Sequence, residues 1–296
     1  MSAFVAVALA VAAIAVVKAT PLAYAALGGV VSENAGVVNI GLEGMMAGGA
    51  FAAVCASNAT HDVFVAALVA ALVGGALGLL LAYFAVTLRA DQIVVGMGIN
   101  ILGIAAAAYL LTVVFGQPGA SPEVPSFSAL PQSEAALRYA PIALLAVLIA
   151  VVHLTLYRTK AGVHLRAVGE EPRAAATAGI DVLRVRYAAT IAGGVLAGLG
   201  GAYLSIGELD LYSDGMVAGR GFIALAAVIF GRWTPLGAAG ACLFFGFFSS
   251  LQIVLQSSRV PAEAFQVVPY VLAIIALAGA IGRSRAPAAD GIPYEG

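Results

Sequence analysis

The sequence predicts an all-α polytopic membrane protein, and three observations carry that prediction. Of its 296 residues 62% are hydrophobic and 10% charged, whereas a soluble domain carries roughly 25% charged residues. The mean hydropathy is +1.03. Several apolar runs reach the roughly 20 residues that a helix needs to cross the hydrocarbon. Those runs are built of Ala, Val, Leu, Ile and Gly without the period-two alternation of an outer-membrane barrel. Together these exclude a soluble enzyme, a disordered chain and a secreted disulfide scaffold. With 14 basic and 15 acidic residues the net charge is −1, which gives no signal for nucleic acid. Cys55 and Cys242 lie inside apolar runs and read as small core residues.

Taken in order, the full-length candidates are 1–17, 41–57, 64–85, 94–115, 141–157, 188–206, 235–256 and 265–282. Two further apolar runs, 21–32 and 221–231, are too short to span alone. The expected count is therefore about ten membrane segments, two of them short, in one domain covering 1–296. The first run has no basic flank or obvious cleavage site and reads as a retained helix. The longest outer loop, 116–140, is made extended and turn-rich by Pro118, Pro122, Pro125 and Pro131. The tail 284–296 is expected to be disordered.

Orientation follows from the basic residues. Arg158, Lys160, Arg166, Arg173, Arg184 and Arg186 crowd into 158–187, which is placed in the cytoplasm. Alternation over ten segments then brings Arg89, Arg232, Arg283 and Arg285 to the same side and makes both termini cytoplasmic. A weak internal repeat runs long helix, short run, turn, helix, helix. It occurs at 1–85 and at 188–282, with Gly36–Gly41 and Gly231–Gly237 as matching turns. Short, Gly-interrupted segments at matching places point to a transport path.

Few residues could carry chemistry at membrane depth. Glu43 opens the helix that runs to Ser57. Its carboxylate can anchor a helix N-terminus, where amides are unpaired, or contribute a polar contact to a path. Asn100 is a buried amide that needs partners, either an interhelical hydrogen bond or a solute. With Asn39 and Gln92 these form the candidate lining of a path. Asp91 is placed to cap the next helix. Gly41, Gly44 and Gly48 share one helix face and, like Gly74/Gly78 and Gly194/Gly198, suit close packing. In the basic loop, Pro172 starts a short helix, Ala174 to Ala178 favour it and Gly179 ends it. The predicted helix, 171–179, is a docking element for a cytoplasmic protein. Its candidate residues are Glu170, Glu171, Arg173, Ala175 and Gly179. His61, His153 and His164 make no metal set. No phosphate-binding loop is present, so energy from ATP must come through a partner. No cofactor is expected.

Four separated motifs resemble the permease subunits of bacterial ATP-binding-cassette importers, in the branch of ribose and branched-chain amino-acid permeases. Ser32-Glu33-Asn34-Ala35-Gly36-Val37-Val38-Asn39-Ile40-Gly41-Leu42-Glu43-Gly44-Met45-Met46 is similar to the signature of the nucleoside and simple-sugar subgroup. So are Ala90-Asp91-Gln92-Ile93-Val94 with Gly96 and Asn100, Leu165-Arg166-Ala167-Val168-Gly169-Glu170, and Gly219-Arg220-Gly221-Phe222-Ile223-Ala224-Leu225-Ala226. The resemblance covers nearly the whole chain in order. It implies a type II importer fold, a separate ATPase, an extracytoplasmic binding protein or lipoprotein, and a second, different permease subunit. It also implies that 158–187 holds the coupling helix. Arg173 stands where the family's Glu-Ala-Ala-x-x-x-Gly pattern has its acid, and Asn34 where the subgroup often has Arg.

The expected function is thus inward movement of nucleosides or related simple sugars across the inner membrane by alternating access. The chain itself would be a transport subunit and not an enzyme. The alternatives are an ion-coupled transporter using Glu43, a permease for another small solute such as branched-chain amino acids, and an assembly subunit with no path.

Overall fold

The computed structural model describes residues 3–130, 132–255, 271 and 285–295. Among them the chain is helical throughout, with no strand and a single isolated bridge, Ala120 to Ser213. The helices are α1 (Ala3–Glu33), α2 (Leu42–Thr60), α3 (Val63–Ala82), α4 (Gln92–Phe115) and α5 (Ala140–Arg158). They continue with α6 (Lys160–Glu170), α7 (Pro172–Thr177), α8 (Val182–Ala202), α9 (Arg220–Phe230) and α10 (Pro235–Leu255). Short π-helical turns extend α3 to Thr87 and α8 to Glu208. Asp62, Asp91 and Asp181 cap α3, α4 and α8 by accepting from the first free amides of each helix. The cap expected at Asp91 is therefore present.

Among the described residues six helices are long and apolar enough to cross a membrane. α2 is nearly as long, but Glu43, four Gly or Ser positions and Asn58 lower its hydropathy. The count of about ten segments is not reproduced, because the runs 1–17 and 21–32 form one unbroken helix of 31 residues. At 1.5 Å per residue that is about 46 Å, more than the roughly 30 Å hydrocarbon core. The sequence suggested a break at Lys18 and Pro21. Lys18 instead pairs with Glu208 at the end of the α8 extension, so its charge need not leave the protein. Pro21 removes one backbone hydrogen bond, a loss that neighbouring helices make tolerable in a membrane. The run 265–282 lies outside the described residues. The repeat is accordingly uneven: its long and short members are fused in α1, whereas α8 and α9 are separated by residues 209–219.

α8 is the axis of the bundle. In its apolar window 78% of residues are buried, against 11% in the window that contains α5. α8 packs on α1, α2 and α3, and small residues allow it. A Cβ on Gly74 would collide with the Gly194 carbonyl, and one on Gly49 with the backbone of Gly198. The helix backbones touch there, as the spacing predicted.

The two ends of the bundle differ. At one, the loop 116–139 is not a free connector. Ser121, Val124 and Phe127 donate backbone hydrogen bonds to Tyr212, Asp210 and Ile206, and Phe127 meets Phe64 edge-on. At the other end lie Glu33, α6, α7 and residues 285–295. The expected disordered tail is not observed over 285–295: Ala289 N–H donates to the Gly169 carbonyl at 2.8 Å. Because α1 is unbroken, Ala3 lies at the end opposite this tail. The expectation that both termini share one side assumed a break in α1 that is not observed.

Candidate functional site

The turn between α1 and α2 gathers the predicted polar residues into one knot. Gly36 takes a positive φ of 83°, which lets the chain reverse after Glu33. The Ser32 hydroxyl donates to the Val37 carbonyl across the turn at 2.8 Å. Gln92, at the start of α4, accepts from Val38 N–H through Oε1 at 2.8 Å. Eight residues further along α4, Asn100 makes two bonds. Its Oδ1 accepts from Gly44 N–H at 2.8 Å and its Nδ2 donates to the Ile40 carbonyl at 2.9 Å. This holds α4 against the first turn of α2, where a Cβ on Gly44 would collide with the Ile99 carbonyl.

Glu43 reaches the other way. Its Oε1 accepts from Gly219 N–H at 2.7 Å and its Oε2 from Gly221 N–H at 2.6 Å. Both amides belong to the N-terminal turn of α9, which starts inside the protein and has no side-chain cap of its own. A carboxylate there satisfies two orphan donors and opposes the positive end of the helix. Asn39 is fully buried. Its Nδ2 lies 3.8 Å from Met45 Sδ, and its Oδ1 has no partner among the described residues.

All four predicted path residues are thus buried, and three spend their polar atoms on backbone groups. In this conformation they are fasteners. The helix N-terminus that Glu43 contacts is that of α9 and not its own. For Asn100 the interhelical bond is the observed role. An apolar cavity of about 250 Å³ lies toward the 116–139 end of the bundle, between Tyr24, Phe64, Phe127, Leu144 and Tyr203, and none of the four lines it.

The knot continues toward α6. Trp233 donates from Nε1 to Glu33 Oε2 at 2.5 Å, and Asn34 donates from Nδ2 to the Trp233 carbonyl at 2.8 Å. The α9–α10 turn is thereby fixed to the α1–α2 turn. Gly169 packs on the Asn34 carbonyl, where any Cβ would collide. The short helix predicted over 171–179 is observed as α7, residues 172–177, with Gly179 beyond it at φ 84°. Glu170, Glu171 and Arg173 are exposed. Ala175 is not: it is 4% exposed and packs with Val168 and Val182. The helix turns this side chain, named among the candidate docking residues, toward α6 and α8. The outward face is carried by Arg173, Ala174, Thr177 and Ala178.

Three functional positions escaped the sequence reading. Trp233 and Glu33 find each other across 200 positions in the chain, and no local pattern signals that. Arg186 had been counted with the cytoplasmic loop. It is fully buried, in register with Val182, Ala189, Thr190 and Gly193 on the inner face of α8. That three-to-four spacing was readable and would have moved it inward.

The comparisons agree with this geometry. The family model described as branched-chain amino acid transport system / permease component matches residues 11–277. The guanosine ABC transporter permease protein NupQ of Bacillus subtilis (strain 168) is 40% identical over 301 residues, covering 94% of each chain. The nucleoside ABC transporter permease protein NupC of Lactococcus lactis subsp. cremoris (strain MG1363) is 38% identical over 299 residues, again covering 94% of each. Among solved structures, an inward-facing metal-chelate type ABC transporter matches with a TM-score of 0.54 and 17% identity. It covers 89% of this chain and 86% of that one, a likeness of fold alone. A transport subunit and not a catalytic chain, this protein belongs to the branched-chain amino acid transport system permease family of ABC transporters.

Proposed function

We propose that this chain is the membrane-spanning subunit of an ATP-driven importer for nucleosides or closely related sugar-containing solutes. The observation that carries the reading is end-to-end similarity, at 40% and 38% identity, to two permeases whose names specify guanosine and nucleoside. The ATPase is a separate chain that docks on the exposed face of α7. Glu170, Glu171 and Arg173 supply its polar contacts, and Gly179 shapes the loop behind it. A second, different permease subunit and an extracytoplasmic binding protein complete the complex.

Sidedness follows from charge. Arg158, Lys160, Arg166, Arg173 and Arg184 cluster at the α6–α7 end, which we assign to the cytoplasm of a cell inner membrane. Residues 116–139 and the Ala3 end of α1 then face outward.

The path lies along the junction with the second permease. α1, α2, α3 and α8 pack backbone to backbone and leave no room between them for a nucleoside. Alternating access would therefore move the whole bundle as a body, with the knot of Asn39, Glu43, Gln92 and Asn100 keeping α2, α4 and α9 together. We assign Glu43 to holding α9 and not to ion coupling, because each of its carboxylate oxygens accepts from a backbone amide of that helix start.

The test is uptake of labelled guanosine, other nucleosides, ribose and leucine by cells with and without this chain, all partners being present. Loss of nucleoside uptake on deletion, abolished by ATP depletion and indifferent to a protonophore at constant ATP, is the expected result. Loss of leucine uptake with nucleoside uptake unchanged would refute the assignment.

A further inference from the structure

We propose that residues 285–295 form a strap that locks the α6–α7 surface to the α1–α2 turn, with buried Arg186 as its positioning residue. Movement of α7 would then reach the polar knot through the strap. This rests on the transport reading above, since a strap can couple only if an ATPase pushes on α7.

Four contacts place the strap. Arg186 is the largest fully buried side chain among the described residues, and its Nη1 donates to the Ile292 carbonyl at 2.9 Å. Its Nε and Nη2 have no hydrogen-bond partner there, and it forms none of the ion pairs found among those residues. A buried cation requires such support, and the strap provides it: a carbonyl from Ile292 and an opposite charge from Asp290. Next, Ala289 N–H donates to the Gly169 carbonyl at 2.8 Å and Ala288 N–H to Glu170 Oε2 at 3.3 Å, which ties the strap to the end of α6. Third, Tyr294 packs on the cluster of Val168, Ala175 and Val182, where α6, α7 and α8 meet. Last, the strap touches the turn itself. A Cβ on Gly36 would lie 2.8 Å from Arg186 Nη2 and 3.0 Å from the Ala289 carbonyl oxygen.

The chain of contact therefore runs from Ala175 through Tyr294 to Ile292, then to Arg186 and Gly36. Three residues beyond Gly36 stands Asn39, and Glu43 follows as the fastener of α9. Burial pushes the Asp290 carboxyl up, while Arg186 of α8 and the Gly291 amide pull it back; Glu33 of α1 faces it as a second acid. One cation set against two acids is a weakly satisfied joint, suited to movement.

The experiment uses the complete complex in proteoliposomes and reads nucleoside uptake per ATP hydrolysed. Deleting 286–296 should lower that ratio about tenfold while ATP hydrolysis and abundance stay within about twofold, the scale of an ordinary coupling free energy. A second variant adds Arg186→Met to the deletion, so that no unpaired charge is left. If the strap only shields Arg186, this variant recovers normal coupling, and the proposal falls. If the strap transmits movement, the ratio stays low. An unchanged ratio after deletion alone also overturns the strap. Absence of ATP-dependent uptake in the intact complex refutes the transport reading itself, and the strap with it.

Discussion

The knot around residues 36–44 and the cap formed by α6, α7 and residues 285–295 are both polar regions of an apolar protein, yet they are built on opposite rules. In the knot, Gln92 Oε1, Asn100 and Glu43 bind backbone amides and a carbonyl at 2.6–2.9 Å, while Asn39 Oδ1 and Gln92 Nε2 have no partner among the described residues. In the cap, Arg186 has one hydrogen bond, and Asp290 Oδ1 has none among the described residues. Five hydrogen bonds to backbone groups hold the knot, where each unpaired group at membrane depth costs several kcal/mol. A single one holds the buried cation of the cap. Substitutions can test either side of that difference.

The largest effect should come from Asn100→Leu. It strands the Gly44 amide and the Ile40 carbonyl, each worth about 1–3 kcal/mol when buried unpaired, or about 2–6 kcal/mol together. Thermal unfolding in detergent should show the loss, and an unchanged midpoint would break the picture of a rigid knot.

Ala175→Arg should act next, and differently. A charge forced among Val168, Val182 and Tyr294 would lift α7 off its seat, because an unpaired buried charge costs far more than an uncharged polar group. Membrane insertion should persist while uptake driven by ATP is lost. Uptake at the parental rate would mean that α7 is not seated as described.

Glu43→Gln sharpens the comparison most directly. Glutamine keeps one acceptor for the α9 amides but loses the second oxygen and the charge, together worth about 1–2 kcal/mol. Abundance should fall and transport per molecule stay constant, as for a fastener. Altered transport at normal abundance would instead restore Glu43 to the path. Asp91→Ala removes an exposed cap from α4 and should cost only about 1 kcal/mol, so a much larger loss would give the α4 end an unsuspected role.

The cap should also respond to pH. Burial raises the Asp290 carboxyl from 3.8 to about 7 in the docked strap. A raised carboxyl favours docking at low pH, and that contribution is lost as pH rises through about 7. In a chain with Cys55 and Cys242 changed to alanine, the pH 8 to pH 6 ratio of labelling rates should be larger for a cysteine at position 289 than for one at exposed position 177, which corrects for thiolate formation. Equal ratios at the two positions would remove the titration from the strap.

Much of this was legible beforehand. Composition and run length dictated helices in a membrane, because nothing else satisfies the backbone in lipid. The motif around Ser32–Met46 brought the family into view, and the glycine spacings marked faces of α3 and α8 for close packing without naming their partners. Asp91 was readable as a cap because capping is local.

What stayed hidden depended on partners distant in the chain. Whether Lys18 breaks α1 turned on Glu208, 190 positions away. Which amides Glu43 would bind turned on α9, which begins 177 residues later. The inward face of Ala175 and the docked tail turned on where α6 meets α8. By itself the sequence determined which segments enter the membrane and which residues are too polar to face lipid, since both follow from transfer energies that act residue by residue. Only the tertiary structure decided which of those polar groups fasten and which remain free to move, because that depends on which backbone groups the packing brings within hydrogen-bond reach.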